Sequence, residues 1–569
     1  MYRVSTTALS RAAIVRRLSY AATAIAVLFG PSARAIDFDT GNPAFTVRWD
    51  NTLKYSVLDR VGSPNAVDLA NANTDDGDRN LARGIASNRI DGLSEFDLKW
   101  LNYGFTASAD GWYDTKYNTS NSNNSPLTSN NLSVPYNRFT VATRDIEGRY
   151  LELGNAFIYG RNVIGNTPVN WRVGRYTLIW GESLLFPDNG VAYGQSPVDA
   201  IKIASVPNTQ AKELFLPTTQ ASAQVTLTDK VSVEAFSKFE WRETRIPAAG
   251  SYFSAFDAVG QGAERIFFLP PGTPNLAFPG GGYAIRGSDM RGSGLGQFGV
   301  ALKFRPTTNW DLGLYAERYN DTSPQLYFGP LNFAAPFTPA AFGGTPVMGS
   351  YREVYPEGVQ LYGMSASTTL GNWNVAGETS IRHNSPLVSS VILDARDAAV
   401  ADNSNNPAYA IGNTLHAQLS TIYIGPASPL YQGITALGEI AGVRVLDIYK
   451  NPTNFDQSRS RSALGARIVL QPQYYQVLSG VDLTVPIGLG WNFDGRSPTE
   501  TFFNGSGADH GGDLSVGLVG TWRNLWIATL NYTNYFGKAV QTFNQNGPDY
   551  IMNPLIDRNF VSLSIQRTF

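Results

Sequence analysis

The sequence predicts an all-β fold: a transmembrane antiparallel β-barrel of the outer-membrane kind. Three observations predict it. They are an N-terminal export signal, segments that alternate apolar and polar residues with a period of two, and a last segment of that kind ending in Phe569. Composition agrees. Charged residues make up 16% of the 569 and aromatics 12%, with 55 glycines, whereas soluble domains carry about 25% charge. Low charge, aromatic girdles and tight turns belong together in a lipid-facing wall.

The export signal comes first. Arg3, Arg11, Arg16 and Arg17 make a basic start, Leu18 to Phe29 is apolar and small, and Ala33, Arg34 and Ala35 fit small-x-small cleavage after Ala35. Residues 1–35 are expected to be a cleavable signal peptide and 36–569 a single barrel domain. The apolar run is too short for a spanning helix of ~20 residues. Arg16 and Arg17 raise a twin-arginine reading, but the flanking residues fit it poorly and a barrel should cross the inner membrane unfolded. Beyond Ile36 no stretch is long and apolar enough for a membrane helix, so a membrane-integral chain must be a closed barrel, which pairs every backbone group in lipid.

The strands follow. In Ala44 to Leu58, Phe45, Val47, Trp49, Leu53, Tyr55 and Val57 share one face, and Arg48, Asp50, Thr52 and Lys54 the other. The pattern recurs at Tyr103 to Tyr113, Phe298 to Phe304, Trp310 to Ala316, Val481 to Leu489 and Leu514 to Trp522. Short turns join pairs of runs, at Thr228–Lys230, Pro306–Asn309 and Gly371–Asn372, and long irregular segments separate the pairs. That asymmetry is the one between periplasmic turns and extracellular loops. The count is about 16 strands, with a range of about 14 to 18. In the last strand, Asp557 to Phe569, Val561, Leu563, Ile565 and Phe569 face one way, interrupted by Arg567. A terminal aromatic on such a strand resembles the signal read by the outer-membrane barrel assembly machinery.

Two kinds of segment break the pattern. Arg242 to Gly294 and Asp321 to Pro356 are long and rich in Gly, Pro and Phe, with Phe253, Phe256, Phe267, Phe268, Phe278, Phe328, Phe333 and Phe337. Such loops either collect apolar ligands or pack on one another over the barrel mouth. Asn118 to Asn131 reads as a solvated loop. Gly181 to Gln220, between strands expected at Trp171–Ile179 and from Ala221, alternates weakly and has a helical pattern at Pro197–Ser205. It carries Glu182, Asp188, Asp199, Lys202, Lys212 and Glu213, and is a candidate lumenal or mouth insert that constricts the pore.

Candidate chemistry is thin. The net charge of −2 gives no case for nucleic acid, and the absence of Cys removes disulfides, thiolates and Cys-ligated metals. His383, His416 and His510 form no metal-spaced pair. Ser506, Asp509 and His510 cluster locally, unlike a triad assembled by a fold. Asn71 to Asp78 is acidic but lacks the EF-hand glycine position and reads as a turn. No phosphate loop or dinucleotide fingerprint occurs. No catalytic residue, cofactor or metal is therefore expected.

Several stretches resemble one family, the outer-membrane barrels catalogued as domain-of-unknown-function family 1302. They are Phe45–Ser56, Thr74–Asn80, Arg89–Asp97, Ala109–Asp114, Val173–Ser183, Gln195–Lys202, Val206–Pro217, Phe239–Arg245 and Gly250–Ser254. The resemblance implies an outer-membrane conduit for a hydrophobic or lipid-like molecule. It further implies two partners, a periplasmic lipoprotein-sorting-like protein and an inner-membrane resistance-nodulation-division (MMPL-like) transporter. On this reading the ligand path runs past Trp180, Glu182, Asp199, Lys202, Phe253 and Phe256. The competing expectations are a general or anion-selective porin, which needs rings of charge, an outer-membrane hydrolase, and a structural barrel.

Overall fold

The computed structural model describes residues 36–38, 40–205, 215–269, 282–329, 347–390, 392–393, 400–538, 541–542, 550–551 and 553–569. The expected signal peptide with Ala35, and Lys212, Glu213, Phe278, Phe333 and Phe337, lie outside these residues. No helix among the described residues is long and apolar enough to cross a membrane.

Eighteen strands form one closed antiparallel barrel. They are β1 (Phe45–Arg60), β2 (Gly84–Trp100), β3 (Tyr103–Asp114), β4 (Arg149–Ile164), β5 (Thr167–Tyr176), β6 (Thr218–Thr228), β7 (Val231–Lys238), β8 (Phe298–Thr307) and β9 (Trp310–Tyr319). The second half comprises β10 (Val359–Leu370), β11 (Trp373–Pro386), β12 (Ile411–Gly425), β13 (Gly433–Lys450), β14 (Ser462–Leu478), β15 (Val481–Thr484 with Ile487–Asp494), β16 (Gly512–Trp522), β17 (Trp526–Phe536) and β18 (Phe560–Thr568). Neighbours in sequence pair throughout, and β1 pairs with β18 from Thr52–Thr568 to Arg60–Phe560 to close the ring.

Eighteen is two more than the expected count and the top of its range. Boundaries moved for physical reasons. β15 is broken at Val485–Pro486, where proline has no N–H for the ladder. β5 spans Thr167–Tyr176 and stops short of Ile179, because its partner β6 begins at Thr218, paired to Tyr176. The non-strand insert therefore ends at Pro217 instead of Gln220. Its helix begins at Ala200 instead of Pro197, since Val198 bridges to Phe215 and the Pro197 carbonyl accepts the Leu216 N–H. The last strand begins at Phe560 rather than Asp557, whose carboxylate is held by Arg60 and Arg558.

The expected alternation of inside and outside is present. Trp49, Phe105, Val300, Leu314, Leu419 and Leu530 stand exposed on the outer face, while Thr52, Lys54, Ser56, Ser562 and Ser564 on adjoining strands are buried toward the interior. Trp100, Tyr103, Trp310 and Trp373 are exposed beside the short turns, where an aromatic girdle belongs. Arg567 also fits its outward row: its guanidinium lies over the Trp526 ring at 5.1 Å and the Phe569 ring at 6.0 Å. Phe569 exchanges both backbone hydrogen bonds with Asn51, and the short strand Ile36–Phe38 continues that edge against Val47–Trp49. The seam edge is thus covered by Ile36–Phe38 and by Phe569.

At the long-loop end the loops fold onto one another. Ile392–Leu393, Gln325–Phe328, Val347–Val354, Gly282–Arg286 and Arg265–Leu269 form a separate five-stranded sheet in that order. Phe267 and Phe328 are buried in it, so loop-on-loop packing accounts for these rings. Asn118 to Asn131 is not a simple solvated loop. Asn123 and Asn130 are buried and hydrogen-bond the Asp76 carboxylate.

Candidate functional site

The segment between β5 and β6 lies against inward-facing side chains of the wall. Tyr176, the last residue of β5, is buried with its hydroxyl on Ser222 Oγ at 2.7 Å. Leu178 and Trp180 follow into the same apolar cluster, and Trp180 meets Phe236 edge-on at 5.0 Å. Ile179, between them, is 47% exposed and lines a lumenal cavity of about 660 Å³.

Beyond Trp180 the chain is tied by its backbone to carboxylates of the opposite wall. Glu378 of β11 accepts the N–H groups of Glu182 at 2.5 Å and Val191 at 2.8 Å. Glu439 of β13 accepts those of Leu184 at 3.1 Å, Leu185, and Phe186 at 3.0 Å. A charged acceptor binds backbone donors about twice as strongly as a neutral one, so two side chains hold one irregular loop. Gly181 has φ +84° and its missing Cβ would strike the Glu378 carboxylate, so only glycine passes there. Between the anchors, Asn189 bridges Gln418 of β12 at 3.2 Å and His416 Nδ1 at 2.9 Å. Arg382 of β11 donates to the carbonyls of Asp188 and Gly190 and lies 4.7 Å over the Tyr193 ring.

The returning arm reaches the β3–β4 wall. Asp199 accepts the Lys202 N–H at 3.0 Å at the start of the helix Ala200–Ser205 and pairs with Arg245 at 2.5 Å. Lys202 pairs with Asp110 of β3. Arg245 also binds Glu152 of β4 at 2.6 Å, and Arg242 binds the other Glu152 oxygen at 2.7 Å. Trp112 lies beneath three cations: Arg89 at 4.2 Å, Lys202 at 5.3 Å and Arg245 at 5.5 Å.

Two chambers accompany the insert. The 660 Å³ chamber lies toward the short turns, below Leu178, Ile179 and Trp180. Lys99, Arg161, Arg172 and Lys303 line it against a single acid, Glu234, which Lys303 neutralises at 2.7 Å. A second cavity of about 710 Å³ lies toward the long loops, bounded by Tyr150, Leu151, Trp241, Arg242 and Tyr355 among others.

Of the expected path residues, Trp180, Glu182, Asp199 and Lys202 all belong to the insert. Trp180 and Glu182 sit on the β7–β12 side, and Asp199 and Lys202 on the β3–β4 side. Phe253 and Phe256 are not gathered with them. Phe253 packs on Phe560 at 5.6 Å and Phe256 joins the cluster of Phe328 in the loop sheet. The anchors Glu378, Glu439 and Glu152 were not singled out in the sequence, where each reads as one more polar residue at an inward position.

The other chemistry is structural. His416 is buried between Asn189 and Thr414, and His383 stacks on Tyr449 on the outer face. His510 pairs with Asp509 in an exposed position, while Ser506 accepts from Asn492. The acidic stretch near Asp75 forms a short helix, Asp76–Asn80. Asp68, Asp78 and Asp557 bring carboxylate oxygens within 4.8 Å of one another, but Arg60 and Arg558 stand among them and supply countercharge.

A protein-family match covers residues 16–569, and the family is described as a protein of unknown function (DUF1302). No curated protein matches the sequence. Among solved structures, Acinetobacter baumannii OccAB4 is similar at 10% identity and TM-score 0.42 over 92% of this chain and 98% of its own. Pseudomonas aeruginosa OccD3 (OpdP) gives 10% and 0.38 over 92% and 91%. The outer membrane channel DcaP of Acinetobacter baumannii gives 9% and 0.37 over 94% and 100%.

Proposed function

The chain belongs to the DUF1302 family, and from that membership we propose that it is an outer-membrane conduit for a hydrophobic or lipid-like molecule. The observation that carries the reading is Ile179, an aliphatic side chain 47% exposed inside the barrel on the wall of the 660 Å³ chamber, next to Leu178 and Trp180. An aliphatic surface in a wet lumen is unfavourable by about 25 cal/mol per Å² unless something apolar covers it. A passing acyl chain or ring system does so. The step is partition and guided diffusion, with no covalent chemistry. Net movement is set by concentration or by a periplasmic partner, for which the lipoprotein-sorting-like protein and the MMPL-like transporter remain the proposed candidates. In this reading the short turns and Phe569 face the periplasm, and the long loops face outward.

A second reading, an anion-selective porin, is favoured by the same chamber's charge. Lys99, Arg161 and Arg172 have no ion-pair partner among the described residues, and they face it. The two readings separate in one experiment on the purified protein. A dansylated medium-chain fatty acid should take excitation energy from the tryptophans in a saturable way, while planar bilayers should show little ionic current. Large open-channel current with no saturable acyl binding would select the porin.

A further inference from the structure

Among the described residues, the strand ladder of the wall is incomplete at one place of its long-loop end. β4 begins at Arg149, but its pairing with β5 begins only at Ala156, opposite Arg175. Along residues 149–155, β4 has β3 on one side and, among the described residues, no strand on the other. β5, β6 and β7 have ended by Tyr176, Thr218 and Lys238. Across the gap lies the irregular segment Phe239–Arg245, and side chains replace the missing ladder. Glu152 on β4 holds Arg242 and Arg245 at 2.7 and 2.6 Å. Arg175 holds Glu240 at 2.9 Å, and Arg242 reaches the Pro217 carbonyl at 3.0 Å.

The 710 Å³ cavity occupies this gap. Its lining includes Leu151 of the outward row as well as Tyr150 and Arg245, so it reaches the edge of the wall. On the outer face, Leu151 is 80% exposed and Leu153 54%. The apolar row of β4 therefore continues beyond the point where its neighbour has stopped. Apolar side chains along a breach in a barrel wall suit a lipid-facing opening whose strand edge is closed at rest by the contacts of Glu152 to Arg242 and Arg245.

We propose that the gap between β4 and the Phe239–Arg245 segment is a lateral portal, through which an acyl chain with an anionic head passes between the outer leaflet and the barrel interior. Glu152 is its latch. The head is assigned by chemistry. Two guanidiniums already hold one carboxylate, Glu152, and a fatty-acid carboxylate or a lipid phosphate offers the same planar or forked acceptor. Exchange of Glu152 for the incoming head would release β4 from the segment and open the gap while both guanidiniums stay paired. The proposal rests on the conduit reading and places the lipid-side entrance of that path.

The natural chain has no cysteine, so an engineered pair is unique. In the full-length protein reconstituted in vesicles, Glu152→Cys with Arg242→Cys is joined by a bis-methanethiosulfonate linker, and transfer of the dansylated fatty acid into the vesicle is measured. The linked protein should transfer at least tenfold more slowly than the same protein after reduction, and Glu152→Gln should transfer faster than wild type. Wild type that transfers, with linked and reduced forms equal, overturns the portal and leaves the conduit standing. Wild type that transfers nothing overturns both. A second measurement needs no transport. A bimane on Leu151→Cys should be quenched by brominated phospholipids. A shielded, unquenched label, as when another chain covers the edge, overturns the portal.

Discussion

Two stretches of the wall differ in height, and the insert connects them. β11 to β14 have 14, 15, 18 and 17 residues, whereas β5 to β9 have 10, 11, 8, 10 and 10. Strands of 9–11 residues suffice to cross a membrane, so the short wall, with β7 at only 8 residues, is at most a span, and the tall wall is a span with a scaffold above it. The insert leaves from the top of the short wall and takes its anchors, Glu378, Gln418 and Glu439, from the tall one. The short wall gives up strand pairing at its rim and relies on ion pairs. The proposed conduit, with its proposed sideways opening, would need one rigid side and one side whose closure is made by side chains.

The strongest way to break this contrast is to remove the tall wall's anchors. Glu378→Ala with Glu439→Ala leaves five backbone N–H groups of the insert without their acceptors. Each buried unsatisfied donor costs about 1–3 kcal/mol, more than an irregular loop can absorb. The insert should leave the wall, and single-channel conductance in planar bilayers should rise several-fold. Unchanged conductance would mean that the loop is held from the short side instead.

The next effect tests the short wall. Glu152→Ala removes the one acceptor shared by Arg242 and Arg245. Breaking such a partly buried pair costs up to about 3–5 kcal/mol when a charge is left uncompensated, although Asp199 still holds Arg245. Residues 239–245 should become the first site of proteolytic cleavage, while the barrel's heat-modified mobility on gels is kept. Equal protection in variant and wild type would show that the segment is held by the loop sheet above it.

Legibility in the sequence divides along the same line. The strands were readable because a period of two forces every second residue into lipid, as Phe298 to Phe304 and Leu514 to Trp522 show. The insert was readable as a break in that period, and four of its residues, Trp180, Glu182, Asp199 and Lys202, were identified. Its anchors were not, because a carboxylate at an inward position of β11 or β13 has the same local pattern whether it faces water or a loop distant in sequence. The unequal strand heights were equally hidden. They depend on where partners stop, and Thr218 stops β5 from a distance in sequence. The loop aromatics depend on distant partners in the same way: Phe253 packs on Phe560 of β18, and Phe256 joins the Phe328 cluster of the loop sheet.

A smaller effect sharpens the chamber beneath the insert. Arg172→Glu changes the local balance by two charges where only the paired Glu234 opposes the cations. The anion-to-cation permeability ratio should fall several-fold, measured as a shift of reversal potential in a salt gradient and largest at low ionic strength, where screening is weakest. Acyl binding at Ile179 should persist with a modest loss for anionic probes.

The smallest effect concerns the rim at the seam, where β1 and the start of β18 carry a buried ionic cluster in place of the short wall's latch. Arg60, Asp78, Asp557 and Arg558 pair there, and Asp68 is buried beside them with one oxygen lacking a partner. Burial, and then the charge of Asp557, push the Asp68 carboxyl up to about 8. A carboxyl raised in the folded state binds a proton that the unfolded chain releases near pH 4. Its contribution is therefore unfavourable above that value, and stability falls as pH rises from about 4 to about 8. Asp557 is shifted the other way, below the usual carboxylate range, by Arg558 and Arg60 against its own burial, so it acts only at lower pH and leaves the window to Asp68 and its raised neighbours. Hydrogen exchange at Ala66–Leu69, corrected for intrinsic rates, should be slower at pH 5 than at pH 8. Asp68→Asn should reduce that difference by keeping the site neutral throughout.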